Sequence, residues 1–321
     1  MAMLAGCGGS QPPIGGPGAI PQPSAIAAHA DRGESWMKPE AEKVKELLYV
    51  STGNDVYVFN YRTHALVGML TGFGAAEGAC VDAKGDVWFA EAGAAVEYAH
   101  GGTEPVASLS TNGYGYGCAV SPRGDLAVAN TYPVSGSGLG DVQVWHGGSG
   151  TPFTYYNRRC GMPKPPGYDS QGNLYFESPP HDVCRLARGA NHLQRVSFDQ
   201  ELDSPQGVQW DGAHLTLAVT GYRSTTVTAI YRVRELPSGD LKSIGTTVLE
   251  DQCGNNNVYQ PFIVGEKNTP VNEKQGAAVV GVNSTCTQPI DFWAYAKGGE
   301  PTYAITNGPS NPQGLAVSIA P

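Results

Sequence analysis

Two similar stretches of sequence decide the fold of this chain. Residues 79–91 read ACVDAKGDVWFAE, and residues 118–130 read CAVSPRGDLAVAN. Each stretch has a short apolar run on either side of a polar turn that contains glycine, the pattern of two antiparallel strands joined by a tight turn. Looser copies read GYDSQGNLYFE at 167–177 and VQWDGAHLTLAVT at 208–220. The turn glycines lie 39, 48 and 40 residues apart, so the pattern is an internal repeat: Gly85, Gly124, Gly172 and Gly212.

A second pair of strands follows each copy. It reads VEYAHGGTEPVASL at 96–109 and VQVWHGGSGTPFTY at 142–155. Further copies occupy residues 56–70, 183–196, 230–249 and 292–305. Each unit therefore supplies four short strands over about 40–50 residues, which is typical of one blade of a β-propeller. Residues 47–321 have room for six units of this length, so the sequence predicts an all-β chain that forms a six-bladed β-propeller.

Composition agrees with an all-β fold. The chain has 321 residues, of which 43 are Gly and 24 are Pro, and both residues weaken helix interiors. A pair of immunoglobulin-like sandwiches is the alternative architecture, but it predicts no regular four-strand period.

The two ends of the chain predict how the ring closes. Three strands are expected at 47–52, 56–61 and 65–70, and the last segment, 312–321, reads as an innermost strand. We expect this C-terminal strand to pair with the N-terminal strands, which completes a blade and leaves no open sheet edge.

Residues 1–46 read as an arm outside the propeller. Leu4-Ala5-Gly6-Cys7 resembles the lipobox of bacterial lipoproteins, in which the cysteine is lipidated, although a chance match of four residues is the alternative. A tether rich in Gly and Pro follows at 8–30, and a short helical turn is expected after Pro39. The lipobox-like string and the tether predict an exported lipoprotein of a bacterium, periplasmic or on the cell surface. We expect it to contact the membrane only through its lipid anchor.

Six cysteines remain when Cys7 is set aside. An even number in an exported chain predicts disulfides, and the repeat map favours three pairs: Cys80–Cys118, Cys160–Cys184 and Cys253–Cys286. Six free, buried thiols are the alternative. No pair has the C-x-x-C spacing of zinc or thioredoxin sites.

The charge pattern excludes one class of partner. The formal net charge is −9, and no basic stripe is present, so we expect no nucleic-acid binding.

One position recurs in each unit, five residues before the Asp or Ser of the turn. These residues precede the innermost strands, so we expect them to form a ring at one end of the channel: Glu77, Tyr116, Lys164, Gln206, Gln260 and Gln313. Tyr259 is the alternative to Gln260, because the fifth unit is divergent. The ring suits a pocket for a small polar ligand, or it is a plug that bonds strand ends and channel water.

The turn phrases resemble those of NHL-type six-bladed propellers and of the senescence-marker-protein/gluconolactonase family, over residues 47–321. Gluconolactonase-like enzymes bind a divalent metal at the channel mouth through a Glu in an E-G-P string, an Asn before Gly and an Asp before Gly. Glu77-Gly78 resembles the first string, whereas Tyr116, Gln206 and Gln313 stand before the other glycines. The resemblance implies Glu77 as a candidate ligand for Ca²⁺, with neutral neighbours where the family has its other ligands.

These observations predict a non-catalytic binding or interaction scaffold at the cell envelope. Its expected partner is a small polar ligand, a glycan or an envelope protein, and the chain is expected to be a monomer. The alternative function is a metal-dependent, lactonase-like hydrolase or lyase with its site at the channel mouth. A structural role in a larger envelope assembly is a further alternative.

Overall fold

The computed structural model describes residues 34–136, 138–180, 182–221, 227–250, 258–264, 278–283 and 290–321. Cys7, Cys253 and Cys286 therefore lie outside the described residues. Within the described ranges the helical elements are three 3-10 turns, Ala41–Lys43, His146–Gly148 and Arg158–Cys160. No helix in this part of the chain has the length and hydrophobicity needed to span a membrane.

The described strands form a β-propeller with five hydrogen-bonded sheets. The first sheet has the order β1-β4-β3-β2-β23, with β1 Trp36–Met37, β2 Glu46–Ser51, β3 Gly53–Asn60, β4 Leu66–Ala76 and β23 Gly314–Ile319. The second has six strands, β5 Gly78–Val81, β6 Val87–Tyr98, β7 Pro105–Val120, β8 Leu126–Pro133, β9 Asp141–Trp145 and β10 Phe153–Tyr155.

The other three sheets have four strands each, paired in chain order. The third contains β11 Gly167–Tyr168, β12 Leu174–Ser178, β13 Asp182–Leu186 and β14 Gln194–Val196. The fourth contains β15 Ser204–Trp210, β16 Leu215–Thr220, β17 Thr228–Glu235 and β18 Leu241–Leu249. The fifth contains β19 Val258–Val264, β20 Ala278–Asn283, β21 Ile290–Ala294 and β22 Tyr303–Ile305.

The predicted count of six separate blades is wrong, and β7 is the reason. This 16-residue strand pairs with β6 through its first part and with β8 through its second, and Tyr114 pairs with both Ala92 and Tyr132. Glycines allow this double pairing: a Cβ on Gly113 would lie 2.5 Å from the Tyr132 carbonyl oxygen, and one on Gly115 would lie 3.0 Å from the Ala90 Cβ. The repeat units at 79–109 and 118–155 therefore share one sheet, so the six inner segments around the channel belong to five blades.

Ring closure occurs as predicted. Strand β23 pairs antiparallel with β2, from Glu46 opposite Ile319 to Ser51 opposite Gly314. Around the channel the inner segments contact one another in the order β23, β5, β7, β11, β15, β19 and again β23. The first and last described strands, β1 and β23, therefore belong to one sheet.

The repeated turns explain why these sequences form hairpins. In the first copy the Asp82 carboxylate accepts the backbone N–H groups of Lys84 and Asp86, at 2.8 and 2.9 Å. Ser121, Asp169 and Asp211 accept two backbone N–H groups in the same way at their own turns. Gly85 has a φ of +85°, which only glycine adopts readily.

The segment 34–46 packs onto the propeller rather than forming part of an arm. Strand β1 pairs with β4, Trp36 opposite Met69, and the 3-10 turn at Ala41–Lys43 corresponds to the helical turn expected after Pro39. Ala41 is fully buried in the core between the first two sheets.

Apolar side chains fill the spaces between neighbouring sheets. Tyr49 and Phe73 contact Phe89 with ring centroids 6.1 and 5.2 Å apart, so aromatic rings join the first and second sheets. Trp145 and Trp293 are buried in two other such clusters. This burial holds the sheets in fixed positions around the channel.

Two of the predicted disulfides are confirmed. Cys80 bonds Cys118, linking β5 to β7, and Cys160 bonds Cys184, linking a 3-10 turn to β13. Disulfides form and persist in oxidising compartments, so they are consistent with an exported protein.

Candidate functional site

Backbone irregularities place the predicted ring residues. The strand register slips at Tyr116 in β7, at Gln206 in β15 and at Gln260 in β19. One residue has no partner in the ladder at each of the first two positions, and Gln260 and Pro261 have none at the third. Such β-bulges redirect a side chain out of the regular alternation of a strand. The spacing in the sequence located these positions, but it did not predict the bulges.

The inner strands meet in a constriction just past the ring residues. A Cβ on Gly78 would lie 2.6 Å from the Tyr116 carbonyl oxygen, and one on Gly117 would lie 2.7 Å from the Pro165 Cβ. Glycine at these positions lets neighbouring backbones touch. We call the close contacts of Gly78, Gly117, Gly207 and Gly314 the glycine belt.

Gln260 closes the glycine belt. Its Nε2 donates hydrogen bonds to the carbonyl oxygens of Glu77, at 3.2 Å, and Tyr116, at 3.1 Å. Its φ is +41°, a left-handed conformation that is unusual for a residue with a side chain. This side chain is therefore engaged as a plug between the inner strands.

Lys164, Tyr116 and Glu77 form a polar cluster on the outer side of the glycine belt. The Lys164 Nζ lies 4.2 Å from the centroid of the Tyr116 ring. Burial lowers the pKa of Lys164, while Glu77 and Glu177 raise it. Burial raises the pKa of Glu77, partly offset by the Lys164 ammonium, and burial also raises the pKa of Tyr116 to about 12.

Glu177 belongs to the same cluster, and sequence reasoning missed it. Its side chain is fully buried, and its Oε2 accepts the Gly207 N–H at 2.9 Å. Its Oε1 is also buried and has no hydrogen-bond partner among the described residues. Burial raises its pKa well above the usual value, while the Gly207 N–H and Lys164 act in the other direction. The available signal was an acid at the end of an otherwise apolar strand, LYFES at 174–178.

The remaining residues of the predicted ring make mainly local contacts. Gln206 is buried, and its Nε2 is 3.4 Å from both the carbonyl and the hydroxyl oxygen of Ser204. Gln313 donates its backbone N–H to the Ser51 carbonyl oxygen at 2.8 Å, and its side chain bonds the Asn311 carbonyl oxygen. The structure therefore does not bring Gln313 into the polar cluster.

Two tyrosines lie beside the polar cluster, and their side chains are exposed to solvent. Tyr114 and Tyr132 pair across β7 and β8, with 41% and 40% of their surfaces exposed. Tyr132 is close enough to Tyr116 to affect its titration. Exposed aromatic faces next to polar groups suit contact with a ligand that has both apolar and polar surfaces.

A cavity of about 1020 Å³ lies inside the channel. Gln206 and Gln260 line one end of it, and Asp82 and Asp211, from the repeated turns, lie at the other. The glycine belt thus separates a polar outer mouth from an inner lumen.

The residues around Glu77 do not fit the divalent metal that the gluconolactonase resemblance implies. Hard cations need several oxygen ligands, whereas here a half-buried lysine ammonium neighbours the carboxylate and the Gln260 Nε2 is held by two backbone carbonyl oxygens. Among the described residues, the acidic group with three ligand atoms within 4.8 Å of one another is elsewhere, at Asp82, Asp86 and Glu97. It lies by the first repeated turn, and its burial is only partial.

Comparisons with known proteins show the fold. No family model and no curated protein matches the chain. A solved structure of a protein of unknown function from Bacteroides caccae is similar, with a TM-score of 0.59, 11% identity, and 85% of this chain and 99% of that chain covered. The WD40 β-propeller domain of Doa1 has a TM-score of 0.53, 12% identity and 86% coverage of both chains.

Hydrazine synthase from Kuenenia stuttgartiensis is also similar, with a TM-score of 0.52, 12% identity, and 78% of this chain and 76% of that chain covered. At these identities the likeness shows the fold alone, so fold and site together define a β-propeller protein with a polar channel mouth. The narrower NHL and gluconolactonase resemblance receives no support from a family match.

Proposed function

We propose that this protein is an exported binding scaffold that holds a small polar ligand at the outer mouth of its channel. In this proposal Lys164 and Glu77 make the polar contacts, and Tyr114 and Tyr132 contact the ligand from the side. The observation that carries the proposal is the half-buried Lys164, whose Nζ lies 4.2 Å from the centroid of the Tyr116 ring and whose neighbour Glu77 is close enough to raise its pKa. An ammonium and a carboxyl group at a partly open mouth can donate to and accept from the hydroxyls of one bound ligand.

The chemistry of the mouth favours a hydroxylated ligand such as a sugar. The cluster contains two carboxyl groups and one ammonium, and burial disfavours the charge on each of them. Such groups exchange hydrogen bonds with hydroxyls without requiring a net charge on the ligand. The tyrosine pair would contact the apolar face of a sugar ring.

Export is supported by the disulfides and by the lipobox resemblance at Cys7, which makes a bacterial envelope lipoprotein the proposed setting. A rigid propeller that presents loops and a polar mouth is suited to holding a ligand or an envelope protein in place.

The test is calorimetric titration of the purified protein with neutral hexoses, uronic acids, amino acids and dicarboxylates. We expect saturable binding of at least one hydroxylated compound, weakened about 10-fold or more by Lys164→Met, because a hydrogen bond to a charged group contributes roughly 1.5–3 kcal/mol. Lys242→Met is the matched control, an exposed lysine on the outer strand β18. Absence of binding to every class, or equal losses in both variants, would contradict the proposal.

A further inference from the structure

The inner lumen differs in chemistry from the outer mouth. It is closed at one end by the glycine belt and the Gln260 side chain. At the other end the lining residues Lys45, Ala83 and Gly212 are exposed, so the cavity opens to solvent there. Its volume of about 1020 Å³ is at the upper end of the range of small-ligand sites, roughly 300–1,000 Å³.

Apolar side chains of the innermost strands remain partly exposed toward this lumen. They come from five inner segments and line the cavity: Val81, Val120, Trp210, Phe262 and Ile319. One side of the Phe262 ring packs against the two core clusters that flank the first sheet. Apolar surface left in contact with water costs roughly 25 cal/mol per Å², so an apolar ligand that covers it would be stabilised.

The polar side chains along the lumen are already engaged. The Gln209 amide donates to the Ile263 carbonyl oxygen at 2.9 Å and accepts the Ile263 N–H at 2.7 Å, so it substitutes for a strand neighbour. Asp211 accepts the Tyr295 hydroxyl at 2.7 Å and two backbone N–H groups of its turn. These groups do not require a polar ligand.

Lys45 is the cationic side chain at the open end. It is exposed, it lines the cavity, and its ammonium has no ion-pair partner among the described residues. We propose that the lumen is a second binding site, for a long-chain carboxylic acid whose acyl chain lies against Trp210 and Phe262 and whose carboxylate lies beside Lys45. This site is separate from the polar mouth and does not depend on the function proposed for it.

The position of Trp210 allows a direct test. The chain has five tryptophans; Trp88, Trp145 and Trp293 are buried in the core, Trp36 is on the outer strand β1, and Trp210 lines the lumen. The probe is 9,10-dibromostearic acid, titrated below its critical micelle concentration, because bromine atoms quench a tryptophan that they touch. We expect saturable quenching with one equivalent bound, and competition by unbrominated stearic acid.

Two pairs of variants locate the ligand. Trp210→Phe should remove most of the quenching, whereas Trp36→Phe should leave it in place. Lys45→Met should weaken the affinity about threefold, as expected for an exposed ion pair, whereas Lys242→Met should not. Lys45 is exposed, so its variant tests the proposal even if Trp210→Phe fails to fold.

Three results would overturn the proposal. They are absence of saturable quenching in the wild-type protein, quenching that persists in a folded Trp210→Phe variant, and equal affinity in the Lys45→Met and wild-type proteins. Each would place the fatty acid outside the lumen or exclude its binding.

Discussion

Loss of the Cys80–Cys118 disulfide should destabilise the propeller by an amount that follows from its position. The bond joins β5 to β7 across a sequence separation of 38 residues. The chain-entropy relation for a closed loop of that size gives a loss of about 3.9 kcal/mol when the bond is removed. Unfolding entropy of roughly 2.1 cal/mol/K per residue then predicts a fall in Tm of about 6 °C for this chain.

The assay is urea unfolding of the Cys80→Ala/Cys118→Ala variant, followed by far-UV circular dichroism. The matched control is the Cys160→Ala/Cys184→Ala variant, whose 24-residue separation predicts a loss of about 3.4 kcal/mol. The two double variants should therefore differ from each other by less than about 1 kcal/mol, because loop entropy grows only slowly with length.

A loss below about 1 kcal/mol for the Cys80/Cys118 pair would refute the reasoning. It would mean that residual structure already restricts the unfolded chain, so that the bond removes little further entropy from it. A loss far above 5 kcal/mol would point instead to a cavity at these two buried sites, each 6% exposed.

Three other changes test the site and the constriction. Glu177→Gln should be more stable than the wild type at pH 8, and this advantage should shrink as the pH falls to 4. Burial raises the Glu177 pKa, so the stability linked to the protonated carboxyl group is lost as the pH rises through that pKa. Urea unfolding at several pH values measures the difference, and a difference that does not change with pH would contradict the prediction. Gly117→Ala should lower the unfolding free energy by about 1–3 kcal/mol, because the added Cβ would meet Pro165. In the control Gly74→Ala the nearest atom would be 3.8 Å away, so the stability should change by less than about 0.5 kcal/mol. Equal effects of the two changes in thermal melts would argue against close contact at the glycine belt. Gln260→Leu should cost about 2 kcal/mol, because two hydrogen bonds to backbone carbonyls are lost; an unchanged unfolding free energy would show that the plug contributes nothing.

Much of the architecture could be predicted because its causes are local. The turn at 82–86 contains both the carboxylate that accepts two backbone N–H groups and the glycine that adopts a positive φ. The same short pattern recurs at fixed intervals, so the unit of four strands and the closure by the C-terminal strand follow from counting. The two confirmed disulfides also followed from the repeat map.

The blade count could not be obtained in that way. Whether β7 pairs on one side or on both depends on how closely β6 and β8 approach the glycines at 113 and 115. That distance is set by the packing of whole sheets, which a repeat length does not contain. The N-terminal segment 34–46 likewise gave little apolar signal, yet β1 adds to the edge of β4.

The candidate site was likewise only partly predictable from the sequence. Counting back from the turns pointed to Glu77, Tyr116, Lys164 and Gln206, and left Gln260 or Tyr259 for the divergent unit; the function of these residues stays a prediction. Counting could not separate Gln260, which closes the belt, from Lys164, which stands in the mouth. It also passed over Glu177, whose burial arises only where the third and fourth sheets meet.

The sequence by itself determined the repeated four-strand units and their turns, because each depends on residues near one another in the chain, and the spacing of the units was enough to predict that the C-terminal strand closes the ring. The tertiary structure alone decided that two repeat units share a sheet, that a glycine belt separates a polar mouth from a lumen with partly exposed apolar side chains, and that Glu177 is buried beside Lys164. The physical reason is that burial and close approach are properties of contacts between sheets, and those contacts join residues that lie far apart in the sequence.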